Sequence, residues 1–435
     1  MTLDRTQQPL VRPMAPFVIP EPVEHRMPNE IPVHVFRAGE EEVVRLDIML
    51  RGGIWEQSQP LQATFTSRML REGTKRFSSA DIAEQLDYYG AWLDVSASMN
   101  YSFVTLYTLT KYFAPTLALV TSMLTEPLFP EKEFQVVVDG NRQQYLVNRE
   151  KVDVIARRKL NQLLFGLSHP CGRYAELEDY DRLTTEALRT MHRRYYNIHN
   201  CICYLSGHVT DEILHVLDEE LGAEAWGDGE KALPITDILP PSNTVQTLFV
   251  ERSDAMQSAI RMGCFSIDCT HPDYLKTRLL ITLFGGYFGS RLMKNIREDK
   301  GYTYGISSGM VAYPFRNMIV VSTQAANEYA RSVVTEVGRE IDRLQQERVA
   351  DEELTMVKNY TMGDMCRSYE SPFSLADAYI FLETAGLPRD FFRRSQEAVL
   401  DATADELRDL ACKYLRKESF TEVIAGKKCA EEFAT

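Results

Sequence analysis

The side chains that could bind a metal or attack a substrate are the first to place. The chain has eight histidines and eight cysteines among 435 residues. No two histidines lie three to five residues apart, the spacing that would set two imidazoles on one helical face. His192 and His199 bracket the aromatic run HRRYYNIH, and His169, ahead of Pro170 in HPCGR, is expected to anchor its loop rather than ligate. The cysteines (171, 201, 203, 264, 269, 366, 412, 429) form no C-x-x-C and no Cys/His cluster. Cys201 and Cys203 in NCICYLSG would share one face of a buried strand, as reduced thiols. In LFGGYFGSRL the glycines precede a helix, but the G-K-[ST] ending is missing and a helix rather than a strand comes before, which argues against a phosphate loop. Gly285 and Gly286 are expected to end one helix and turn into the next, with Ser290 as its cap.

Bulk properties narrow the class. Apolar residues at 44% and charged residues at 25% are ordinary for a globular protein, and no apolar run nears the roughly 18 residues that span a bilayer. A membrane partner is therefore not expected. A formal charge of −14 disfavours nucleic acid as a partner. The opening, MTLDRTQQPLVRPMAPFVIPEPVEHRM, lacks a basic-then-apolar signal pattern. It reads as a flexible lead-in over residues 1–24 of a cytoplasmic protein, the periplasm staying open if a leader has been trimmed.

Positioning elements recur in two series. A linker is expected at residues 225–244 (AWGDGEKALPITDILPPSNT), where Gly, Pro and polar residues replace periodic structure. On either side, 25–224 and 245–435 read alike. The first has a strand (VVRLDIMLRGG), the helix LQATFTSRMLREGT, the helix SSADIAEQLDYYG, two alternating runs (AWLDVSASMN, YSFVTLYTLT) and a long helix (APTLALVTSMLTEP). The second has AIRMGCFSI, PDYLKTRLLITLFGG, SRLMKNIREDKG, the runs YTYGISSGMVAY and NMIVVSTQ, and YARSVVTEVGREIDRLQQ. Each closes on a strand, NCICYLSGHV or FTEVIAGKK. The pattern predicts an α+β fold of two similar halves, each a largely antiparallel sheet covered by helices on one face.

In that order, RGGIWEQ, MLREGTKRFSSADIAEQLDYYGAWLDVSASMNYS, EPLFPEKEF, HPCGR, QSAIRMG and FGGYFGSRLMKNIREDKGYTYGISS resemble the pitrilysin-type zinc peptidases, the family of insulin-degrading enzyme and the mitochondrial processing peptidase. The likeness runs over about residues 25 to 430. The family's chemistry rests on an inverted helix motif, H-x-x-E-H, in which two histidines bind zinc and the glutamate serves as base for the attacking water. Counted back from Gly73-Thr74, these positions hold Thr64, Ser67 and Arg68, and the third ligand falls on Gln144. Thr64 is a poor ligand, Ser67 takes no proton near neutral pH, Arg68 is a fixed cation, and Gln144 has no charge. The chain is thus expected to hold no zinc, and the helix to be a packed one with a polar face.

The resemblance also implies what is kept. Arg297 and Tyr304 match the arginine and tyrosine that, in the family, hold the substrate backbone and stabilise the oxyanion; a guanidinium fork and a phenol are donors that can be aimed at developing negative charge. The bland alternative is a solvated helix-terminal charge and a core aromatic. By alternation Tyr304 shares a face with Tyr302 and Ile306. The resemblance therefore implies a zinc-free subunit, inactive alone, that pairs with a homologous zinc-bearing chain to cleave unstructured peptides; the second reading is an assembly or binding protein that reuses the fold.

Overall fold

Alternation along YSFVTLYTL is the clearest local instruction in the first half, and it is followed residue by residue: Ser102, Val104, Leu106 and Thr108 are buried while their neighbours are half-buried or exposed. The computed structural model describes residue 6 and residues 14–429. Its first sheet comprises β1 (Val23–Arg26), β2 (Pro32–Arg37), β3 (Val43–Arg51), β4 (Trp92–Ala97), β5 (Tyr101–Leu109) and β6 (Cys201–Gly207), in the order β1-β2-β6-β3-β5-β4. The second comprises β7 (Thr247–Glu251), β8 (Gln257–Ser266), β9 (Thr303–Tyr313), β10 (Arg316–Ala326) and β11 (Thr421–Gly426), ordered β7-β11-β8-β10-β9. With β1 set aside the two orders are the same. Each sheet has one parallel pair at the same place, β2 with β6 and β7 with β11, and is otherwise antiparallel.

The first half carries helices α1 (Gln62–Met69), α2 (Ser79–Tyr89), α3 (Phe113–Thr125), α4 (Glu131–Asn148), α5 (Val152–Phe165), α6 (Leu177–Arg182), α7 (Thr185–Tyr195) and α8 (Asp211–Glu220). The second carries α9 (Tyr274–Ile281), α10 (Ala330–Gln346), α11 (Asp351–Arg367), α12 (Pro372–Ala385), α13 (Phe391–Asp401) and α14 (Ala404–Tyr414). Two π-helical segments, Thr282–Gly286 and Met293–Asp299, lie between α9 and β9. Local signals set several ends: Ser78 and Asp81 form a capping box ahead of α2, and Gly90 closes that helix in the left-handed conformation. Leu46, Ile48, Phe65, Leu117 and Leu205 belong to one core, and Ile260, Leu283, Ile296, Val337 and Ile424 to the other. No helix among the described residues is long and apolar enough to cross a membrane.

The repeat does not foretell how the halves join. Each contributes one helix to the far face of the other's sheet. From α5, Ala156, Leu160, Leu164 and Phe165 pack with Ala259, Met318 and Val423 of the second sheet. From α12, Leu375, Tyr379 and Leu382 pack with Phe36, Met49 and Tyr204 of the first. Burying each such large side chain contributes about 1.5–3 kcal/mol, so the exchange is a substantial tie between the halves. A charge cluster lies in the second of these contacts: Arg45 Nε is 2.7 Å from Asp47 Oδ2, Nη2 pairs with Asp377 of α12, and Nη1 donates to the Phe373 carbonyl at 3.2 Å.

The expected lead-in needs correction where it is described. Residues 1–5 and 7–13 lie outside the described residues. From Phe17 onward the chain is tied down. The Phe17 N–H donates to Gln396 Oε1 at 2.9 Å, Gln396 Nε2 donates back to the Phe17 carbonyl at 3.0 Å, Ile19 packs beside α12, and β1 begins at Val23. Too few apolar residues stand in that Pro-rich stretch to make a periodic pattern, so the sequence does not announce their docking.

Candidate functional site

Helix α1 lies beside β4 and α7, and nearly all of it is covered: Gln62, Ala63, Phe65, Thr66, Ser67 and Met69 are buried. The helix is packed, as expected, and the packing extends over most of its polar residues as well. Gln62 Oε1 accepts from the Ser58 N–H (2.8 Å), Gln62 Nε2 donates to the Ala187 carbonyl (2.8 Å), and Thr66 Oγ1 donates to the Gln62 carbonyl (2.8 Å). Ser67, at the position of the family's base, is fully buried, with its Oγ 3.0 Å from Tyr196 Oη, 3.3 Å from Ser102 Oγ and 3.3 Å from the Ser96 carbonyl. Burial pushes the Tyr196 phenol above its ordinary pKa, so it stays a neutral hydrogen-bonding partner. The Tyr196 ring stacks on His192 at 4.9 Å, and His192 Nε2 donates to the Leu124 carbonyl at 2.8 Å. His192 is pushed down to about 4, chiefly by burial, and is neutral at pH 7.

The remaining positions do not complete a metal site. Thr64 is half-buried, and Arg68 is exposed on a shallow groove also lined by Arg71, Glu72, Asp94 and Val137. Gln144 is exposed on α4, where its amide donates to Asn148 Oδ1 at 3.1 Å. A half-buried hydroxyl, a buried and bonded hydroxyl, a fixed cation and an exposed neutral amide do not fit zinc. Among the described residues no three His, Cys, Asp or Glu side chains cluster as ligands.

The second site is built from the π-helical segment and the first residues of β9. Asn295 anchors the segment from below: its Nδ2 lies 2.6 Å from Glu340 Oε1 and 3.2 Å from Glu336 Oε2, both buried on α10. Burial alone would raise the Glu336 carboxyl, but the Asn295 amide, Lys300 and Arg339 hold it below its ordinary value. Gly301, at φ 66°, makes the turn into β9. There the register skips: Thr303 pairs with Ala325 and Ile306 with Thr323, so Tyr304 and Gly305 together oppose Gln324. This bulge is held by Thr303 Oγ1, 2.7 Å from Thr323 Oγ1 and 3.1 Å from the Gly305 N–H that it accepts, and by Thr323 Oγ1 donating to the Gly305 carbonyl at 2.8 Å.

The bulge overturns the alternation reading. Ile306 points into the core at 4% exposure while Tyr304 is 93% exposed, so they do not share a face, and the core-aromatic alternative for Tyr304 fails. Arg297 and Tyr304 are brought together, with the guanidinium carbon 5.6 Å from the centre of the Tyr304 ring. The same carbon lies 4.6 Å from the Phe288 ring, a residue that no sequence signal singles out. Among the described residues Arg297 has no ion pair, so its N–H donors are available to an incoming acceptor. Gly285 does sit at a close approach, since a Cβ there would meet Ser308 Oγ at 2.7 Å. Ser290 is buried with no hydrogen bond to its hydroxyl, and so does not cap the segment. His169 does anchor its loop: Nδ1 accepts from the Cys171 N–H at 3.0 Å, and Nε2 donates to the Ile238 carbonyl, between α8 and β7, at 3.1 Å. Cys201 and Cys203 are buried on β6 with sulfurs 4.0 Å apart.

Residues 182–361 match the family model described as "Peptidase M16 inactive domain". The chain is 21% identical over 405 residues to the "Non-peptidase homolog YmxG" of Helicobacter pylori, covering 88% of this chain and 89% of that protein. It is 21% identical to the "Uncharacterized zinc protease YmxG" of Bacillus subtilis, covering 71% of this chain and 74% of the relative. The fold matches a "peptidase M16 inactive domain" structure from Pseudomonas fluorescens with a TM-score of 0.83 at 20% identity, over 94% of this chain and 99% of that one. Over residues 182–361 the chain thus matches the pitrilysin-type (M16) peptidase family, and over nearly its whole length it has the fold of that family's structures. The zinc motif of that family is absent from α1, where its positions hold Thr64, Ser67 and Arg68. As a pitrilysin-type fold, its two similar halves are the expected architecture.

Proposed function

We propose that this chain is the zinc-free subunit of a two-subunit pitrilysin-type peptidase, contributing substrate binding and transition-state stabilisation through Arg297 and Tyr304. The observation that supports this most is their pairing on the surface: an arginine without an ion-pair partner among the described residues, beside a tyrosine that is 93% exposed. A side chain so exposed contributes little to folding, and its direction is set by a hydrogen-bonded bulge. Both groups are donors suited to a peptide carbonyl on which negative charge develops. In this reading a homologous partner carries the zinc, the substrate is an unstructured peptide, and neither nucleic acid nor membrane is a partner. Free thiols on all eight cysteines favour the cytoplasm as its compartment.

A second reading is a non-catalytic assembly or binding protein. It is favoured by the Helicobacter relative, which is named a non-peptidase homologue. The two separate by mixing the purified chain with a homologous H-x-x-E-H subunit and following cleavage of an unstructured peptide. The peptidase reading expects stimulation that falls about 100-fold in Arg297→Ala and in Tyr304→Phe, the size typical of losing one oxyanion donor. A mixture no faster than the zinc subunit alone would sink it.

A further inference from the structure

We propose that Phe288 is a positioning residue for Arg297, the third member of a peptide-binding stack Phe288–Arg297–Tyr304. This rests on the peptide-binding reading above and adds to it. Phe288 is 63% exposed, an unfavourable place for a benzyl group, and it lies 4.6 Å from the guanidinium carbon, nearer than Tyr304 at 5.6 Å. Its outward direction is imposed by the turn that carries it. Gly285 lies hard against Ser308, a Cβ on Gly289 would meet the Tyr287 ring at 2.8 Å, and Tyr287 is held inward by stacking on Tyr360 at 4.7 Å and 29°. With Tyr287 fixed there, its neighbour is left over the π-helical segment, where Arg297 is waiting.

A guanidinium held 4.6 Å and 5.6 Å from two ring centres is restricted in where it can stand, while its N–H donors stay available to an acceptor. The two contacts therefore fix the place at which an acceptor meets the N–H donors, and fit an extended peptide whose carbonyl reaches Arg297 while a flanking apolar side chain rests on the exposed Phe288 ring. Without the Phe288 ring the arginine keeps its charge but loses its direction.

The test uses the full chain and, as probe, a fluorescein-labelled, unstructured 20-residue peptide of Gly, Ser and Ala with a central Phe. Binding is read by anisotropy for wild type, Phe288→Leu, Phe288→Tyr and Arg297→Ala, alongside the thermal midpoint and the nitrogen relaxation of Arg297 Nε. Phe288→Leu is expected to weaken binding about three- to fivefold, the range of an exposed cation–π contact, and to make Arg297 Nε mobile, with the midpoint within about 1 °C of wild type. Phe288→Tyr is expected to restore both. If Arg297→Ala weakens binding but Phe288→Leu does not, or if Phe288→Tyr fails to rescue, the role of Phe288 is overturned and the peptide site stands. If wild type does not bind the probe, or Arg297→Ala binds as wild type does, the peptide site falls and Phe288 with it.

Discussion

Lowering the pH should loosen the packing behind α1, and His192 is the group that should do it. Its Nε2 is committed to the Leu124 carbonyl, and its ring lies against Phe129 at 5.6 Å and Tyr196 at 4.9 Å, the tyrosine that in turn holds Ser67. Burial pushes it down to about 4 from the ordinary 6.5. Because the folded value lies below the unfolded one, the unfolded chain takes the proton first. The stabilisation is therefore complete above about pH 6.5 and is lost as pH falls through 6.5 toward 4, by about 2 kcal/mol at pH 5 and about 3 kcal/mol at pH 4. Urea unfolding at pH 7.5 and pH 5 for wild type and His192→Gln isolates this contribution, since glutamine can donate to the same carbonyl and does not titrate. Wild type should lose about 2 kcal/mol more than the variant between the two pH values. If the two proteins lose the same stability, within about 0.5 kcal/mol, His192 is not the group responsible and the reasoning from its burial fails.

Other outcomes follow from the same contacts. Ser67→Glu, which restores the acidic residue of the zinc motif by itself, should destabilise the chain by at least about 3 kcal/mol in urea unfolding, because a carboxylate would replace a hydroxyl that has no exposure. Arg45→Ala leaves Asp47 buried at 1% exposure without its cation and removes the ion pair to Asp377 of α12; it should cost about 3–5 kcal/mol in urea unfolding. Thr323→Val removes the hydroxyl that holds the Gly305 carbonyl and should cost about 1–2 kcal/mol while weakening peptide binding through Tyr304, measured by thermal shift and anisotropy.

Much of this protein could be read along the chain because the relevant constraints are local. Alternation along β5, the capping box at Ser78 and Asp81, and the recurrence of strand, helices and paired strands in both halves are short-range patterns, and they yield the two-sheet fold directly. The loss of the zinc motif is equally local, since one helical turn must carry both histidines and the glutamate, and Thr64, Ser67 and Arg68 occupy that turn. What tertiary structure alone decided depends on residues far apart in sequence. The polar side of α1 is buried because Tyr196, Ser102 and Ala187 close over it. Tyr304 faces outward because Thr303 and Thr323, from neighbouring strands, lock a bulge that breaks the period of two. Phe288 reaches Arg297 because a turn pinned on Ser308 folds it back over a π-helical segment. The crossing of α5 and α12 onto each other's sheets was invisible for the same reason: an apolar helix face states that it will be buried, and only the folded chain decides against which sheet.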